Sequence, residues 1–252
     1  MDLLPDVATW LRDAEHTVVL TGAGISTDSG IPDFRGPQGV WTRDPAAEKR
    51  ADIRHYLDDP EVRRAAWRAR ATGPTLDARP SAGHLALARL EAAGGLDTLV
   101  TQNIDGLHLD AGTSPERLIE IHGTAREYAC LACGERGPMD RALARVRAGD
   151  PEPACLACGG ILKSATVSFG QSLDPDLLRR AMTASRAADL FLAIGTSLTV
   201  HPVADLPMQT LATGGRLVIL NAEPTQLDAR AHVRLRGQIG ELLPALVDAA
   251  IG

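Results

Sequence analysis

Four stretches of the chain are almost continuously apolar and rich in β-branched residues, and several lead into polar or glycine-containing turns. They cover residues 16–22, 96–103, 190–197 and 216–224. Short runs that are apolar at every position are typical of strands buried on both faces of a parallel sheet. The pattern therefore predicts such a sheet, with polar turns at the ends of its strands.

Helical patterns separate these strands along the chain. They cover residues 81–93, 174–187, 202–213 and 239–250. Asp174 and Pro175 supply the cap and first-turn residues of one of these helices. Strands that alternate with helices predict an α/β fold, namely a doubly wound, Rossmann-like parallel sheet.

Two stretches interrupt this alternation. Residues 40–76 are charged and helix-prone, whereas residues 126–164 hold the cysteines, several glycines and little apolar periodicity. We expect both insertions to pack together as a small domain, helical and zinc-binding, beside the sheet. The large, Rossmann-like domain would then comprise residues 1–39, 77–125 and 165–252.

Composition narrows the classes of function. The chain has 252 residues, 44% of them hydrophobic, which suffices for one large core, and its formal net charge is -6. A negative net charge disfavours binding to nucleic acid or to an anionic membrane. No apolar run reaches the roughly 18 residues of a membrane span, and the first residues do not resemble a signal peptide. We therefore expect a cytoplasmic protein.

The four cysteines form two C-x-x-C pairs in the second insertion. They are Cys130, Cys133, Cys155 and Cys158. Disulfides are disfavoured in the cytoplasm, and four sulfurs at this spacing can bind zinc tetrahedrally with no position left for water. The pattern predicts one structural Zn²⁺, and the competing interpretation is four unligated cysteines.

The first strand runs into a glycine turn that is typical of phosphate binding. Gly22 and Gly24 would let the backbone approach a pyrophosphate, although Thr27 stands where G-x-G-x-x-G has its third glycine. A simple tight turn is therefore the competing interpretation. Further along, Phe34 could cap a sugar ring and Arg35 could pair with a phosphate.

Polar side chains follow two other apolar runs. Gln102, Asn103 and Asp105 come at the end of the second predicted strand, where ligands bind in open α/β sheets. Taken singly, each is more typical of a turn or a cap. His122, followed by Gly123, ends another short apolar run, and its ordinary pKa of about 6.5 suits a general base.

Together these motifs resemble the sirtuin family, and in particular its bacterial-type members. The segments GAGISTDSGIPDFRG, TQNIDGLH and HG followed by two C-x-x-C pairs carry the resemblance. The later segments GTSL, VHPVADLP and LVILNAEPTQLD agree with it in order and spacing. The resemblance covers nearly the whole chain.

The resemblance implies an NAD site, a catalytic pair and an acyl-lysine cleft. The implied NAD contacts are Gly22, Ala23, Gly24, Phe34, Arg35, Gln102, Asn103, Ile104, Asp105, Gly195, Thr196, Ser197, Asn221, Glu223 and Ile239. His122 and Asn103 are the implied catalytic residues, with His122 as the base. The apolar substrate walls would be Val167, Phe169, Gly170 and Val200, although Val167 and Val200 could equally be strand core.

The activity that the resemblance implies is NAD-dependent deacylation of protein lysines, with deacetylation as the first expectation. The acyl group moves from lysine to ADP-ribose and nicotinamide is released. ADP-ribosyl transfer to protein, or plain NAD hydrolysis, is the alternative, and a non-catalytic NAD sensor is a third hypothesis. The oligomeric state is open, with a monomer as the expectation.

The chain departs from the sirtuin pattern at two places. Lys163-Ser164 stands where a basic residue and proline are common, and Gln171 replaces a glutamate, which leaves the peptide preference open. Desuccinylating members carry Y-x-x-R in the helical insertion, where this chain has Trp67 and Arg70. The sequence therefore does not predict a preference for acidic acyl groups.

Overall fold

The computed structural model describes residues 3–34, 36, 39–44, 47, 51–73, 75 and 77–252. Its strands are β1 (Thr17–Thr21), β2 (Thr98–Thr101), β3 (Leu118–Glu120), β4 (Gly123–Cys130), β5 (Arg136–Pro138), β6 (Leu162–Thr166), β7 (Leu190–Ile194), β8 (Arg216–Leu220) and β9 (Val233–Leu235). The apolar runs at 16–22, 96–103, 190–197 and 216–224 thus contain β1, β2, β7 and β8. Only the short strands β3 and β9 extend the main sheet beyond them.

The six-stranded main sheet is parallel throughout, in the order β3-β2-β1-β7-β8-β9. From β1 the chain builds outward to β2 and β3, and from β7 it builds outward in the opposite direction. The strand order therefore reverses between β1 and β7. In doubly wound sheets a crevice opens at this point, outside the carboxyl ends of the strands, and ligands bind there.

Helices cover both faces of this sheet, and the predicted fold class is confirmed. The helices are α1 (Leu4–Asp13), α2 (Val40–Arg43), α3 (Ile53–Asp58), α4 (Pro60–Thr72), α5 (Ala82–Ala92), α6 (Leu107–Asp110), α7 (Met139–Arg147), α8 (Pro175–Ala187), α9 (Leu206–Ala212) and α10 (Ile239–Ile251). Short 3-10 helices lie at Ala23–Ser29, Val203–Asp205 and Asp228–Arg230. None of the helices in the described ranges combines the length and apolar character needed to cross a bilayer.

Alternate residues of each strand face two separate cores. Val19 packs in a core with residues of α1, α5 and α10, whereas its neighbour Val18 packs with residues of α8 and α9. Side chains alternate across a strand, so a strand covered on both faces needs an apolar residue at every position. This requirement explains why the strands appear in the sequence as continuous apolar runs.

The two insertions contribute to a third core, away from the main sheet. The antiparallel sheet β5-β4-β6 packs with α4 and α7 around Trp67, Met139 and Leu143, all fully or almost fully buried. The division into a large and a small domain remains a prediction. Two of its bounds, 125/126 and 164/165, fall inside the paired strands β4 and β6.

Capping residues fix where the predicted helices begin. The Asp174 carboxylate accepts hydrogen bonds from the backbone N–H groups of Asp176 and Leu177, at 2.8 and 3.2 Å, before Pro175 begins α8. At α5, Ser81 and His84 form a reciprocal capping box. Such caps satisfy the backbone donors that the first helical turn leaves unpaired.

The core beneath α5 provides a matched test of burial. Leu87 is 0% exposed, whereas Leu85 on the same helix is 48% exposed. We expect Leu87→Ala to lower the free energy of unfolding by about 2 to 5 kcal/mol, because it leaves a cavity. Leu85→Ala should change it by less than about 0.5 kcal/mol. Urea titrations followed by circular dichroism measure both, and equal losses would contradict this packing.

Candidate active site

A single cavity of about 1380 Å³ opens at the carboxyl ends of β1 and β7 and continues to the core formed by the insertions. Turns after β1, β2, β7 and β8 line it, together with residues of α4 and β6. The cavity therefore lies at the reversal of strand order, with space for an elongated ligand and a second molecule beside it.

The floor of the cavity is a contact between two backbone turns. The Gly24 N–H donates to the Gly195 carbonyl at 2.9 Å, and the Gly22 N–H donates to the Ile194 carbonyl at 3.0 Å. A Cβ on Gly24 would lie 2.7 Å from the Gly195 Cα, and one on Gly22 would lie 2.7 Å from the Gly195 oxygen. Only glycine fits here, so no side chain projects from the floor and a ligand can approach its backbone closely.

The turn after β2 orients the predicted base. The His122 Nδ1 lies 3.0 Å from the Gln102 carbonyl oxygen, which can only accept a hydrogen bond. The proton of the neutral ring is therefore assigned to Nδ1, and Nε2 keeps a free lone pair. Burial lowers the pKa of His122 below its ordinary value, and the hydrogen bond to Gln102 opposes this shift. The imidazole is thus unprotonated at neutral pH, as a general base must be.

Asn103 is held by the turn that follows β1. Its Nδ2 donates to the Gly22 carbonyl at 3.1 Å and to the Ser26 Oγ at 3.0 Å. Ser26 in turn donates to an Asp105 carboxylate oxygen at 2.8 Å. Because both Nδ2 protons are used, the carboxamide oxygen of Asn103 is the group left to meet a ligand.

Two buried histidines, His84 and His108, lie next to the hydrogen-bonded group of Asn103, Ser26 and Asp105. The rings of His84 and His108 are 4.7 Å apart, and the His84 Nε2 lies 3.4 Å from the Ser26 Oγ. Burial lowers the pKa of His84 to about 4 and that of His108 well below its ordinary value. Both rings are therefore neutral, and no positive charge stands behind Asn103 among these groups.

The turn after β8 closes the other side of the crevice. The Asn221 Nδ2 donates to the Glu223 carbonyl at 2.7 Å, and Arg236 Nη1 donates to the carbonyls of both residues. Ser197 is paired with Thr199 at 2.8 Å. Ile239, the first residue of α10, adds an apolar surface at the same end.

The predicted substrate segment, residues 167–170, connects the base to the insertions. The Val167 N–H donates to the His122 carbonyl at 2.8 Å. The Phe169 N–H donates to Ala51 at 3.0 Å, and its carbonyl accepts from Ile53 at 2.9 Å. The segment therefore contributes backbone both beside His122 and beside α3.

An aromatic cluster forms the outer wall near this segment. The ring centroids of Phe34 and Trp41 are 4.8 Å apart, and those of Trp41 and Phe169 are 5.5 Å apart. Phe34 is nevertheless 44% exposed. The cluster can cover a ligand that lies between the glycine turn and the substrate segment.

The structure brings nearly all of the predicted site residues to this one cavity. Those that line it are Gly22, Ala23, Gly24, Phe34, Gln102, Asn103, Ile104, His122, Val167, Phe169, Gly170, Gly195, Thr196, Ser197, Val200, Asn221, Glu223 and Ile239. Asp105 is not among them, because its carboxylate binds Ser26 and the N–H of Leu107 instead. Arg35 lies outside the described residues.

Sequence reasoning did not place several other residues at the cavity. They are Trp41, Tyr56, Arg70, Lys163, Leu173 and His201. Most of them come from the insertions, where no strand end or glycine turn marks a position as functional. Ser26, which links Asn103 to Asp105, carried only the general signal of a serine in a polar turn.

The four cysteine sulfurs form the predicted metal centre. They lie within 4.8 Å of one another, with 3.5 Å between Cys130 and Cys158 and 3.7 Å between Cys133 and Cys155. Four sulfurs at about 2.3 Å from a tetrahedral zinc would be about 3.8 Å apart. The cluster therefore fits one Zn²⁺, and since every ligand position is a thiolate, that zinc is structural.

The sequence model of the Sir2 family matches residues 22–202 of the chain. The chain belongs to the Sir2, or sirtuin, family. The match begins at the glycine turn that forms the cavity floor, and it includes His122 and all four cysteines. The resemblance inferred from the sequence motifs is thus confirmed.

Known relatives resemble this sirtuin over nearly their full length. The NAD-dependent protein deacetylase 2 of Streptomyces coelicolor is 51% identical, over 91% of this chain and 95% of its own. A Sir2 variant solved with a deacetylated p53 peptide and 3'-O-acetyl ADP ribose superposes with a TM-score of 0.91 at 34% identity, covering 100% and 99% of the two chains. A complex of Sir2 with p53 peptide and NAD+ gives 0.87 at 35% identity, covering 98% of both.

The sirtuin's metal centre can be tested with neighbouring substitutions. We expect Cys158→Ser to lower the zinc content of the purified protein and its melting temperature, because metal binding contributes to folding of this module. Leu156→Ala is the control, since Leu156 lies between two ligands but is 84% exposed. Elemental analysis and thermal melts measure both changes. Full zinc occupancy in Cys158→Ser would contradict the four-sulfur site.

Proposed function

We propose that this sirtuin is an NAD-dependent protein-lysine deacylase, with deacetylation as its principal reaction. It would transfer the acyl group of a protein acyl-lysine to ADP-ribose and release nicotinamide. The name of its Streptomyces relative and the peptide and ADP-ribose complexes of Sir2 support this proposal. So do the glycine floor, the free amide oxygen of Asn103 and the shape of the cavity.

The observation that carries the proposal is the orientation of His122. Its Nδ1 is bound to the Gln102 carbonyl, so Nε2 is the basic atom and the ring lines the cavity. A neutral imidazole in this position can accept a proton from a ribose hydroxyl, so that the hydroxyl oxygen can take up the acyl group. Simple storage of a nucleotide would not need a base with its lone pair kept free.

The residues present fit NAD. Because Gly22, Gly24 and Gly195 carry no side chain, a pyrophosphate can approach the backbone of the two turns closely, and Asn221 and Glu223 suit the adenosine half. When bound, NAD supplies the ribosyl carbon whose bond to nicotinamide breaks. We propose that the carboxamide oxygen of Asn103 orients the ligand at that end.

Water must be kept from the reacting carbon, because it would otherwise compete with the acyl-lysine oxygen. Phe34, Trp41 and Phe169 form a nearly continuous apolar wall next to the glycine turn. We propose that Val167, Phe169, Gly170 and Val200 hold the acyl-lysine against this wall. A neutral acyl-lysine gains from apolar contacts and an in-line position rather than from charge.

ADP-ribosyl transfer to protein, or hydrolysis of NAD, is the alternative function. Both reactions would use the same nucleotide site but would depend less on a general base at position 122.

Our prediction of a monomeric, cytoplasmic protein that binds neither nucleic acid nor membranes accompanies the proposal. The division into a nucleotide-binding domain and a small domain of residues 40–76 and 126–164 belongs to it too.

Substitution of the base tests the reaction. We expect His122→Ala to lower kcat/KM for an acetyl-lysine peptide by about 10² to 10⁴, the usual contribution of a general base. His16→Ala is the control, because His16 is exposed at the opposite end of β1. Nicotinamide release and peptide mass are measured together. Nicotinamide release that is independent of acyl peptide, or an added ADP-ribose mass, would favour the alternative.

The pH dependence follows from the lowered pKa of His122. Since the neutral ring is the active form, kcat/KM should be level near neutral pH and fall as the pH drops through a pKa below about 6.5. Circular dichroism at each pH separates this loss from unfolding, because protonation of the buried His84 and His108 also opposes folding at low pH. A limb centred above pH 7 would contradict the assignment.

A further inference from the structure

Residues 168–171 form a turn at the end of the predicted substrate segment. The Gln171 N–H donates to the Ser168 carbonyl at 3.0 Å, and the Ser168 N–H donates to the Gln171 side-chain oxygen, also at 3.0 Å. Two hydrogen bonds between the same two residues therefore close the turn. They fix the position of the Gln171 side chain as well as that of its backbone.

The orientation of the Gln171 carboxamide follows from this contact. Because a backbone N–H can only donate, the atom that faces Ser168 is the oxygen Oε1, and Nε2 with its two protons is the other end. Within the described ranges of the chain, Nε2 has no hydrogen-bond partner. Gln171 is half-buried and lines the cavity. It therefore offers two unused N–H donors to a ligand.

The charged side chains that flank this turn, or that line the cavity at residue 201, already have partners. Asp52, in a β-bridge with the substrate segment, accepts from the Arg54 guanidinium at 2.7 and 3.1 Å. The His201 Nδ1 lies 3.0 Å from an Asp205 carboxylate oxygen. Asp174 caps α8. A carboxylate bound at the turn would thus meet free donors beside acidic groups that are already compensated.

We infer that Gln171 is a specificity-determining residue, whose Nε2 donors bind an acidic side chain of the substrate protein within two residues of the acyl-lysine. This inference rests on the proposed deacylase function. It assigns the peptide preference that the sequence left open. A hydrogen bond from an amide to a carboxylate is stronger than one to a neutral oxygen, so Asp or Glu near the acyl-lysine is favoured.

A carboxylate at position 171 would select the opposite charge. In Gln171→Glu, one carboxylate oxygen can still accept the hydrogen bond from Ser168, so the turn is kept. The two free donors are replaced by a charged acceptor, which repels an acidic side chain and attracts a basic one. This substitution therefore changes charge recognition without changing the shape of the turn.

Matched acetyl-lysine peptides test the inference. Each peptide carries Glu, Gln or Lys at one position within two residues of the acetyl-lysine, and Glu and Gln have nearly the same shape. With NAD, we expect the native protein to show a larger kcat/KM for the Glu than for the Gln peptide at one or more positions. Gln171→Glu should lower this ratio by about fivefold or more. It should also raise kcat/KM for the Lys peptide relative to the Gln peptide.

Gln209→Glu is the matched control. It adds the same charge on α9, at a residue that accepts a hydrogen bond from Arg186 and does not line the cavity. The Glu-to-Gln ratio should be unchanged in this variant. Gln171→Ala removes the donors and should bring the ratio to about one. Because each ratio compares two peptides on the same folded fraction, a loss of folded protein does not alter it.

Three outcomes would overturn the inference even if deacetylation is fast. The first is a native ratio at or below one at every position. The second is a ratio that Gln171→Glu changes no more than Gln209→Glu does. The third is a preference for the Glu peptide that Gln171→Ala retains in full.

If the native protein consumes none of the peptides, the proposed function fails, and calorimetric binding of the Glu and Gln peptides in the presence of NAD then decides the role of Gln171. Tighter binding of the Glu peptide that is lost in Gln171→Glu would support this role. Equal binding of the two peptides to the native protein would overturn it.

Discussion

The site depends on the contact between the backbone after β1 and the backbone after β7. Because Gly22, Gly24 and Gly195 lack side chains, the two turns meet at hydrogen-bonding distance where the strand order reverses. The Gly22 carbonyl then holds the Asn103 amide, and the Gln102 side chain reaches Thr196 of the second turn at 2.8 Å. The same Gln102 residue fixes His122 through its carbonyl. A side chain at the floor would therefore disturb Asn103, His122 and the contact between the two turns together.

The main sheet was predictable from the sequence because burial on both faces demands continuous apolar runs, as in β7 and β8. The position of the site was predictable as well, because the carboxyl ends of parallel strands lie at the same edge of the sheet. Local patterns did not predict what the insertions contribute. Trp67 and Arg70 match only one residue of the Y-x-x-R motif, so the spacing left open whether Arg70 faces the cavity, and nothing near Asp105 indicates that Ser26 binds its carboxylate. The contacts that decide both positions, from Arg70 to Ser164 and from Ser26 to Asp105, join residues distant in sequence.

The titratable side chains at the cavity differ in charge. Burial keeps His122, His84 and His108 neutral at neutral pH. Arg70 and Lys163 also line the cavity, and both are held by neutral oxygens. At His122 the hydrogen bond to the Gln102 carbonyl opposes the loss of basicity that burial causes.

The hydrogen bonds of the segment at residues 167–170 have a mechanical consequence. Through Val167 this segment is attached to the peptide group of His122, and through Phe169 it is attached to Ala51 and Ile53. A peptide bound on this segment, as we propose, would lie beside both the His122 turn and α3. If a second ligand that fixes the relative position of these two parts strengthens peptide binding, bound peptide favours that second ligand by the same coupling free energy. Occupancy of the peptide site and the relative position of the two parts would then be linked through this segment.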